Sequence, residues 1–486
     1  MHDDATGEEP TAWHDPSRMS RLLRWQVVVP SILFVLVILS PVCFRHWWLS
    51  RVPDIGDPFS VSEILKSIPD EENAFPLFEE AFSLRKKVAE DDYKQYLDEW
   101  YDGWDPTDDL LNKYLEMNRP ALEKWRKATE RQNYRIVPFS RLSEESGLTK
   151  LQANRALVYL CQTEIQRLTK TGKPADALPW LRASFRCSGL VTRSAPWIGR
   201  LMGITYFAIS ADSTEKWMQH PDLTGDQLLE LLSAVQASVR LMEKPSTTIK
   251  VDYLVVRQWY AKWSYDEMKK RYDDIKKQYK DATNVPPLRS KWQTWVLAEP
   301  EFSRRLAAHL TANVLAFVDV PRRKRPPLLD GDIFDESAVS VAPAGRLPAH
   351  KLIELLKDSK LIEAEKGELI AGFLDSMDRN SARSACLQVA LAAQAYHRNH
   401  GQFPDQLADL QPDYLLSLPD DPYAPEPMPV IYRRTDDEAV VYSRFTNEID
   451  DGGTTVTFDE ARDKEPPDFG FRIRTPRMLP VVAPKP

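Results

Sequence analysis

Four oxygen-bearing side chains crowd one short stretch late in the chain: Asn447, Glu448, Asp450 and Asp451, followed at once by Gly452 and Gly453. Carboxylate and amide oxygens are the hard donors that calcium takes, and glycines let a backbone wrap tightly around an ion. These four side chains together are calcium chemistry in type. The alternative is a solvated acidic turn. The spacing is not that of an EF-hand loop.

Elsewhere the sequence offers little chemistry. It contains no Gly-x-Ser-x-Gly, His-Glu-x-x-His, phosphate-binding loop or Cys-x-x-Cys. Ser83 with Lys86, and Ser213 with Lys216, match Ser-x-x-Lys, a spacing that arises by chance and here lacks its companion motifs. His397 and His400 stand three apart, close enough to share a metal. Basic residues in the last turn of a helix also complement its dipole, which is the simpler reading. The carboxylates are dispersed along helical patterns, and sequence does not pair them for acid–base work. No catalytic or cofactor-binding residue is expected.

The acidic loop closes an ordered run of elements. Cys386, Val389, Ala390, Ala393 and Tyr396 form one apolar stripe of helical period, and Gly401 follows basic residues as a C-cap. Leu407, Leu410, Tyr414 and Leu415 suggest a short packed helix, and Pro419 to Tyr423 a turn cluster. Val430-Ile431-Tyr432 and Val440-Val441-Tyr442 read as a hairpin. A lone hairpin is marginal in water. The helix of residues 381–401 is therefore expected against one face, with a third strand at residues 454–458.

Tyr396-x-x-x-x-Gly401-x-Phe403-Pro404, Leu407-x-x-Leu410-x-Pro412-x-Tyr414-Leu415, Leu418-Pro419-x-Asp421-Pro422, a tyrosine-ended hairpin and Asp450-Asp451-Gly452-Gly453 occur in that order. This run of about 70 residues resembles the C-terminal part of the major pseudopilins of type II secretion. It is also similar to the C-terminus of uncharacterised bacterial membrane-anchored proteins that carry the same module. The resemblance implies a small α+β module whose acidic loop binds calcium and folds the C-terminus, with Asp450 and Asp451 the best-matched positions. This chain departs from the pseudopilin plan at its start. More than 300 residues separate Phe44 from the module, and no prepilin-type Gly-Phe-x-x-x-Glu sequence occurs.

The 486 residues suffice for two or three domains, with 43% hydrophobic residues for their cores. A net charge of −8 gives no overall support for nucleic-acid binding. Prolines (37) outnumber glycines (17), which favours helix starts and rigid connections over glycine-rich phosphate loops. A polar lead, residues 1–24, precedes residues 25–44, which carry no charge. About 20 such residues cross a bilayer as a helix, so the lipid bilayer is the expected partner of residues 25–44. A cleaved signal peptide is the alternative, but no Ala-x-Ala-like site follows. Arg18, Arg21 and Arg24 before the span outnumber Arg45 and Arg51 after it. That balance leans to an N-terminus inside and a bulk outside the cytoplasm.

The expected fold is mainly α: a single transmembrane helix, a multi-helix body over residues 52–318, a linker over 319–349, and the α+β module with its antiparallel sheet over 350–474. A Pro-rich tail, 475–486, ends the chain. Tyr93, Tyr96, Trp100, Tyr101 and Trp104 read as helix-packing core before ligand surface. Residues 151–190 read as a helical hairpin about Thr171-Gly172-Lys173-Pro174, tetratricopeptide-like through Gly172, Ala177, Leu181 and Ser184, with no second copy. Its Cys161 and Cys187 are expected to face one another, with a disulfide left open. Arg322, Arg323, Lys324 and Arg325 read as a solvated basic run. Function divides between two readings: a non-enzymatic scaffold or protein-interaction protein of the cell envelope, and an envelope hydrolase with a site assembled from scattered residues.

Overall fold

A computed structural model describes residues 16–136, 144–278, 288–329, 333–334, 346–359, 369–453 and 468–475. The chain is mainly helical. In order the helices are α1 (Pro16–Ser50), α2 (Val61–Ile64), α3 (Phe75–Leu84), α4 (Tyr93–Asp102), α5 (Asp109–Met117), α6 (Arg119–Ala128), α7 (Glu144–Lys170) and α8 (Pro174–Val191). Then come α9 (Trp197–Trp217), α10 (Gly225–Leu241), α11 (Pro245–Ala261), α12 (Tyr265–Gln278), α13 (Lys291–Val296), α14 (Glu301–Leu315), α15 (Ala349–Ser359) and α16 (Leu369–His400). A two-residue ribbon, β1 (Leu328–Leu329) with β2 (Ile333–Phe334), precedes α15. The C-terminal sheet is antiparallel, in the order β3 (Ile431–Arg434), β4 (Glu438–Ser443), β5 (Phe469–Arg474).

The chain divides into two compact units. The first joins Met1–Gly56 to Trp259–Ala307. It holds α1, α12, α13 and the start of α14. Arg304 bridges Glu301 (2.8 Å) and Asp54 (2.5 Å), and Trp48 stacks on the buried Phe302 at 5.0 Å. Helix α1 is long and apolar enough over Trp25–Ser50 to cross a membrane.

The second unit joins Asp57–Gln258 to Ala308–Pro486. Its core runs through α3, α6, α7, α8, α9, α10, α16 and the sheet. Small residues set how closely these helices approach. A Cβ at Gly203 of α9 would fall 2.4 Å from Thr192 Cγ2 and 2.9 Å from the Ser188 carbonyl at the end of α8. Ser184 of α8 and Ser210 of α9 hydrogen-bond at 2.5 Å across the same interface.

The sequence reading separated the body from the C-terminal module, but both lie in this second unit. The reason is the composition of α16. Its Ala385, Leu387, Val389, Leu391, Ala393 and Ala395 are all buried, which leaves no polar face in that stretch. A helix apolar on every side needs cover on every side. The sheet covers one side through Ala439, Val441, Phe471 and Ile473, and α9 and α10 cover the others. Burial alternates along the first part of β4 and along most of β5, as in a half-buried sheet. The third strand is Phe469–Arg474, and the expected position 454–458 lies outside the described residues.

Two further expectations change. Part of the predicted linker is packed. Arg325 grips Asp378 of α16 with two hydrogen bonds (2.9 and 3.2 Å), and Arg322 lies over Tyr423 at 4.6 Å. The basic run is therefore held by acidic and aromatic partners rather than solvated. The α7–α8 pair forms about a left-handed Gly172 (φ 75°), and its two cysteines are not bonded but hydrogen-bond to other groups. Gln162 meets Ser184 (3.1 Å) and Asn154 meets Cys187 (3.4 Å), whereas Cys161 donates to the Trp180 carbonyl (3.6 Å). Both thiols are free and buried. In the aromatic segment Tyr96 and Trp104 pack with Leu111 and Tyr114, and Trp100 lies on Tyr159 at 4.4 Å.

Candidate functional site

The site is the acidic loop that leaves β4, with the turn of residues 419–423 beside it. Strand β4 ends at Ser443, and the chain turns through left-handed Phe445 (φ 53°) and Glu448 (φ 60°). It turns again through Gly453 (φ 78°), where glycine is required twice over. Its conformation is left-handed, and a Cβ there would sit 2.9 Å from the Tyr442 ring.

Each predicted donor is already engaged. The Tyr442 hydroxyl donates to Asp450 Oδ1 at 2.9 Å and the Gly452 N–H at 3.0 Å. Arg433 Nη2 reaches both Asp450 oxygens, at 3.2 and 3.0 Å. Desolvation raises the Asp450 pKa, but the Gly452, Tyr442 and Arg433 donors outweigh it and hold the carboxyl below its ordinary range. Asn447 Nδ2 donates to Asp451 Oδ2 at 2.7 Å, and Asn447 Oδ1 accepts from the Ile449 N–H at 3.0 Å. Glu448 turns away to Arg322, 3.1 Å distant.

A third carboxylate joins them that sequence reasoning missed. Asp468, at the foot of β5, is fully buried and accepts from the Gly453 N–H at 2.9 Å. Burial raises its pKa, the Gly453 and Asp451 N–H groups oppose that, and the Asp451 and Asp450 charges raise it further. Its Oδ1 has no hydrogen-bond partner among the described residues. The only signal in the sequence was an acid just before an alternating apolar run.

Calcium takes about six to eight oxygens. The orphaned Asp468 oxygen suits a cation, but the rest of the set does not. Arg433 sits where a cation on Asp450 would sit, and Asn447 takes Asp451. Among the described residues no group of three or more His, Cys, Asp or Glu side chains is placed to hold a metal ion. Among the described residues, Arg433 supplies the counter-charge to Asp450, and they do not by themselves complete a calcium shell.

The neighbouring turn is organised by one buried carboxylate. Asp421 Oδ1 accepts from the Tyr423 N–H (3.0 Å) and the Ser443 hydroxyl (2.6 Å). Its Oδ2 accepts from the Arg444 N–H (3.2 Å) and Arg444 Nη1 (3.4 Å). The Asp of Leu-Pro-x-Asp-Pro thus staples the turn to the end of β4. Beyond it, Arg379 and Arg383 lie over Phe445 and Phe469 at 5.1 and 4.8 Å.

The other candidates are not assembled for chemistry. Ser83 Oγ donates to the Glu80 carbonyl at 2.7 Å, and Lys216 pairs with Asp212 at 3.5 Å. His397 stacks near Phe403 and His400 on Tyr396 (centroids 4.5 and 4.2 Å), so the two rings serve packing. Burial, aided by Arg398, lowers the His397 pKa and favours the neutral ring. In comparisons with known proteins, no family model, curated protein or solved structure matches the chain.

Proposed function

We propose that this chain is a single-pass membrane protein whose helical unit serves as a non-enzymatic scaffold at the cell envelope, its bulk outside the cytoplasm. One observation carries the reading. Every residue of α1 from 26 to 40 is exposed, with Val27, Phe34 and Val37 more than 60% exposed. These residues lie in the uncharged run 25–44, whose 20 residues rise about 30 Å as a helix, untenable bare in water and matched to the hydrocarbon thickness of a bilayer.

The scaffold part of the reading rests on what the polar groups do. Asp421, Asp450 and Arg433 are spent on holding the module together. Helix α16 against an antiparallel sheet, with an acidic loop after the second strand, supports the pseudopilin-like reading of the module. The α7–α8 pair about Gly172 supports the tetratricopeptide-like one. Affinity purification of the full chain from detergent-solubilised membranes tests the scaffold. The reading expects a stoichiometric protein partner that is lost when residues 57–486 are replaced by an unrelated domain. Recovery of the chain alone, at its monomer mass, would count against it.

A further inference from the structure

The short helix α13 faces outward with the wrong chemistry for water. Its sequence is Lys-Trp-Gln-Thr-Trp-Val, started by a capping box between Ser290 and Gln293. Thr294 is buried, while Trp292 and Trp295 are 60% and 40% exposed and stack on each other at 5.3 Å. Two exposed indoles on a six-residue helix need a partner that accepts an apolar ring and a polar N–H together.

Helix α13 is fixed to α1 at one height. Arg45 donates to the Trp295 carbonyl, and its guanidinium lies 5.4 Å from the Trp295 ring centre. Arg45 is the first charge after the uncharged run that ends at Phe44. With a rise of about 1.5 Å per residue, residues 45–48 climb ~6 Å beyond that edge. The polar zone of a bilayer is itself roughly 5–7 Å deep on each side. Trp47, 56% exposed, stands at the same level, and Arg51 lies over Trp47 and Trp48 at 5.7 and 4.9 Å. Trp and Tyr concentrate at this depth because their rings are amphipathic, and arginines there meet lipid phosphates.

We infer that α13 is a second membrane contact: Trp292 and Trp295 lie in the phospholipid headgroup zone of the bilayer that α1 crosses, and with Trp47, Arg45 and Arg51 they form one interfacial belt. The inference rests on α1 being a membrane span. The belt gives the first unit a fixed seat on the lipid surface, where a lone span would leave it free to swing.

Spin labels on the full-length chain in phosphatidylcholine–phosphatidylglycerol nanodiscs test this. Cys43→Ser removes the one exposed thiol, and Cys161, Cys187 and Cys386 are buried. Single cysteines are then placed by Val35→Cys and Trp292→Cys, with the free label in buffer as the aqueous reference. The ratio of oxygen to water-soluble nickel-complex accessibility reports depth. The expected order is residue 35 highest and residue 292 intermediate, between residue 35 and the free label. A label at Lys291→Cys, also exposed, should follow residue 292 and guards against a local effect of losing Trp292. Aqueous values at 291 and 292 with a deep value at 35 would overturn the belt and leave the span standing. An aqueous value at 35 would overturn both.

Discussion

Replacing Asp421 with alanine tests the claim that Leu-Pro-x-Asp-Pro is a structural staple. The carboxylate is fully buried, as is its partner Ser443, and Tyr423 is nearly so. Alanine leaves the Tyr423 N–H, the Ser443 hydroxyl and the Arg444 N–H without an acceptor, and it strands a guanidinium whose side chain is only 16% exposed. A buried donor left unsatisfied costs about 1–3 kcal/mol. Breaking a buried ion pair from one side costs about 3–5 kcal/mol. These overlap, and solvent reaches Arg444 in part, so the expected total is about 3–5 kcal/mol. Hydrogen exchange read by mass spectrometry suits so large a unit, because it resolves local opening. Protection of the 438–443 amides should fall by roughly a hundredfold to several thousandfold, since about 1.4 kcal/mol is tenfold. Asp420→Ala is the control. That neighbour is 54% exposed and meets Arg323 only at 3.8 Å, so its effect should stay within about 0.5 kcal/mol. Equal effects from the two substitutions, or no effect from Asp421→Ala, would refute the staple.

Three other outcomes follow from the same structure. Burial raises Glu215, which accepts from the edge-strand Arg472 N–H at 3.2 Å, from 4.5 to about 7, and Asp252, which accepts from the Trp197 N–H, from 3.8 to about 7. A folded pKa above the unfolded one means the folded state holds the proton more tightly, so stability is lost as pH rises from about 4 to 7. The combined Glu215→Gln and Asp252→Asn variant should show a flatter melting temperature between pH 5 and pH 8 than the wild type; an equally steep profile would refute it. Calcium and chelator should give the same midpoint for the wild type, and Arg433→Gln should lower stability slightly, by about 1 kcal/mol or less, as suits an exposed pair. A calcium-dependent rise in the wild type, removed by Asp450→Ala with Asp451→Ala, would restore the metal reading of the loop. Burial raises the pKa of both Cys161 and Cys187, so both should be recovered as free thiols, unreactive toward alkylation until the chain unfolds.

Local pattern made the module's parts legible. The period of 3.6 marks much of α16, and two β-rich apolar runs joined by polar residues mark β3 and β4, because each pattern lies within a few residues. The acidic loop was visible as a cluster of donors, but its cation was not. Arg433 reaches Asp450 only because strand pairing sets Tyr432 against Val441 and Arg433 against Val440. Asp468 was hidden by the 14 residues that separate it from Gly453. The need for a third strand follows from the marginal stability of a lone hairpin, and Phe469–Arg474, which alternates aromatic or aliphatic residues with glycine and arginine, meets it. The union of body and module was legible in principle. A helix with Ala385, Leu387, Ala390, Leu391, Ala392 and Ala395 buried has apolar residues beyond its single stripe, and one sheet covers only one side of it. Reading only the stripe that fitted the sheet hid the demand for α9 and α10.

The central claim is that α1 lies in a bilayer, and alkaline carbonate extraction of membranes from cells making the full chain tests it most directly. The band over residues 25–44 should keep the protein in the membrane pellet, with residues 25–44 still present by mass. Release into the supernatant with a mature N-terminus beyond Phe44 would contradict the anchor.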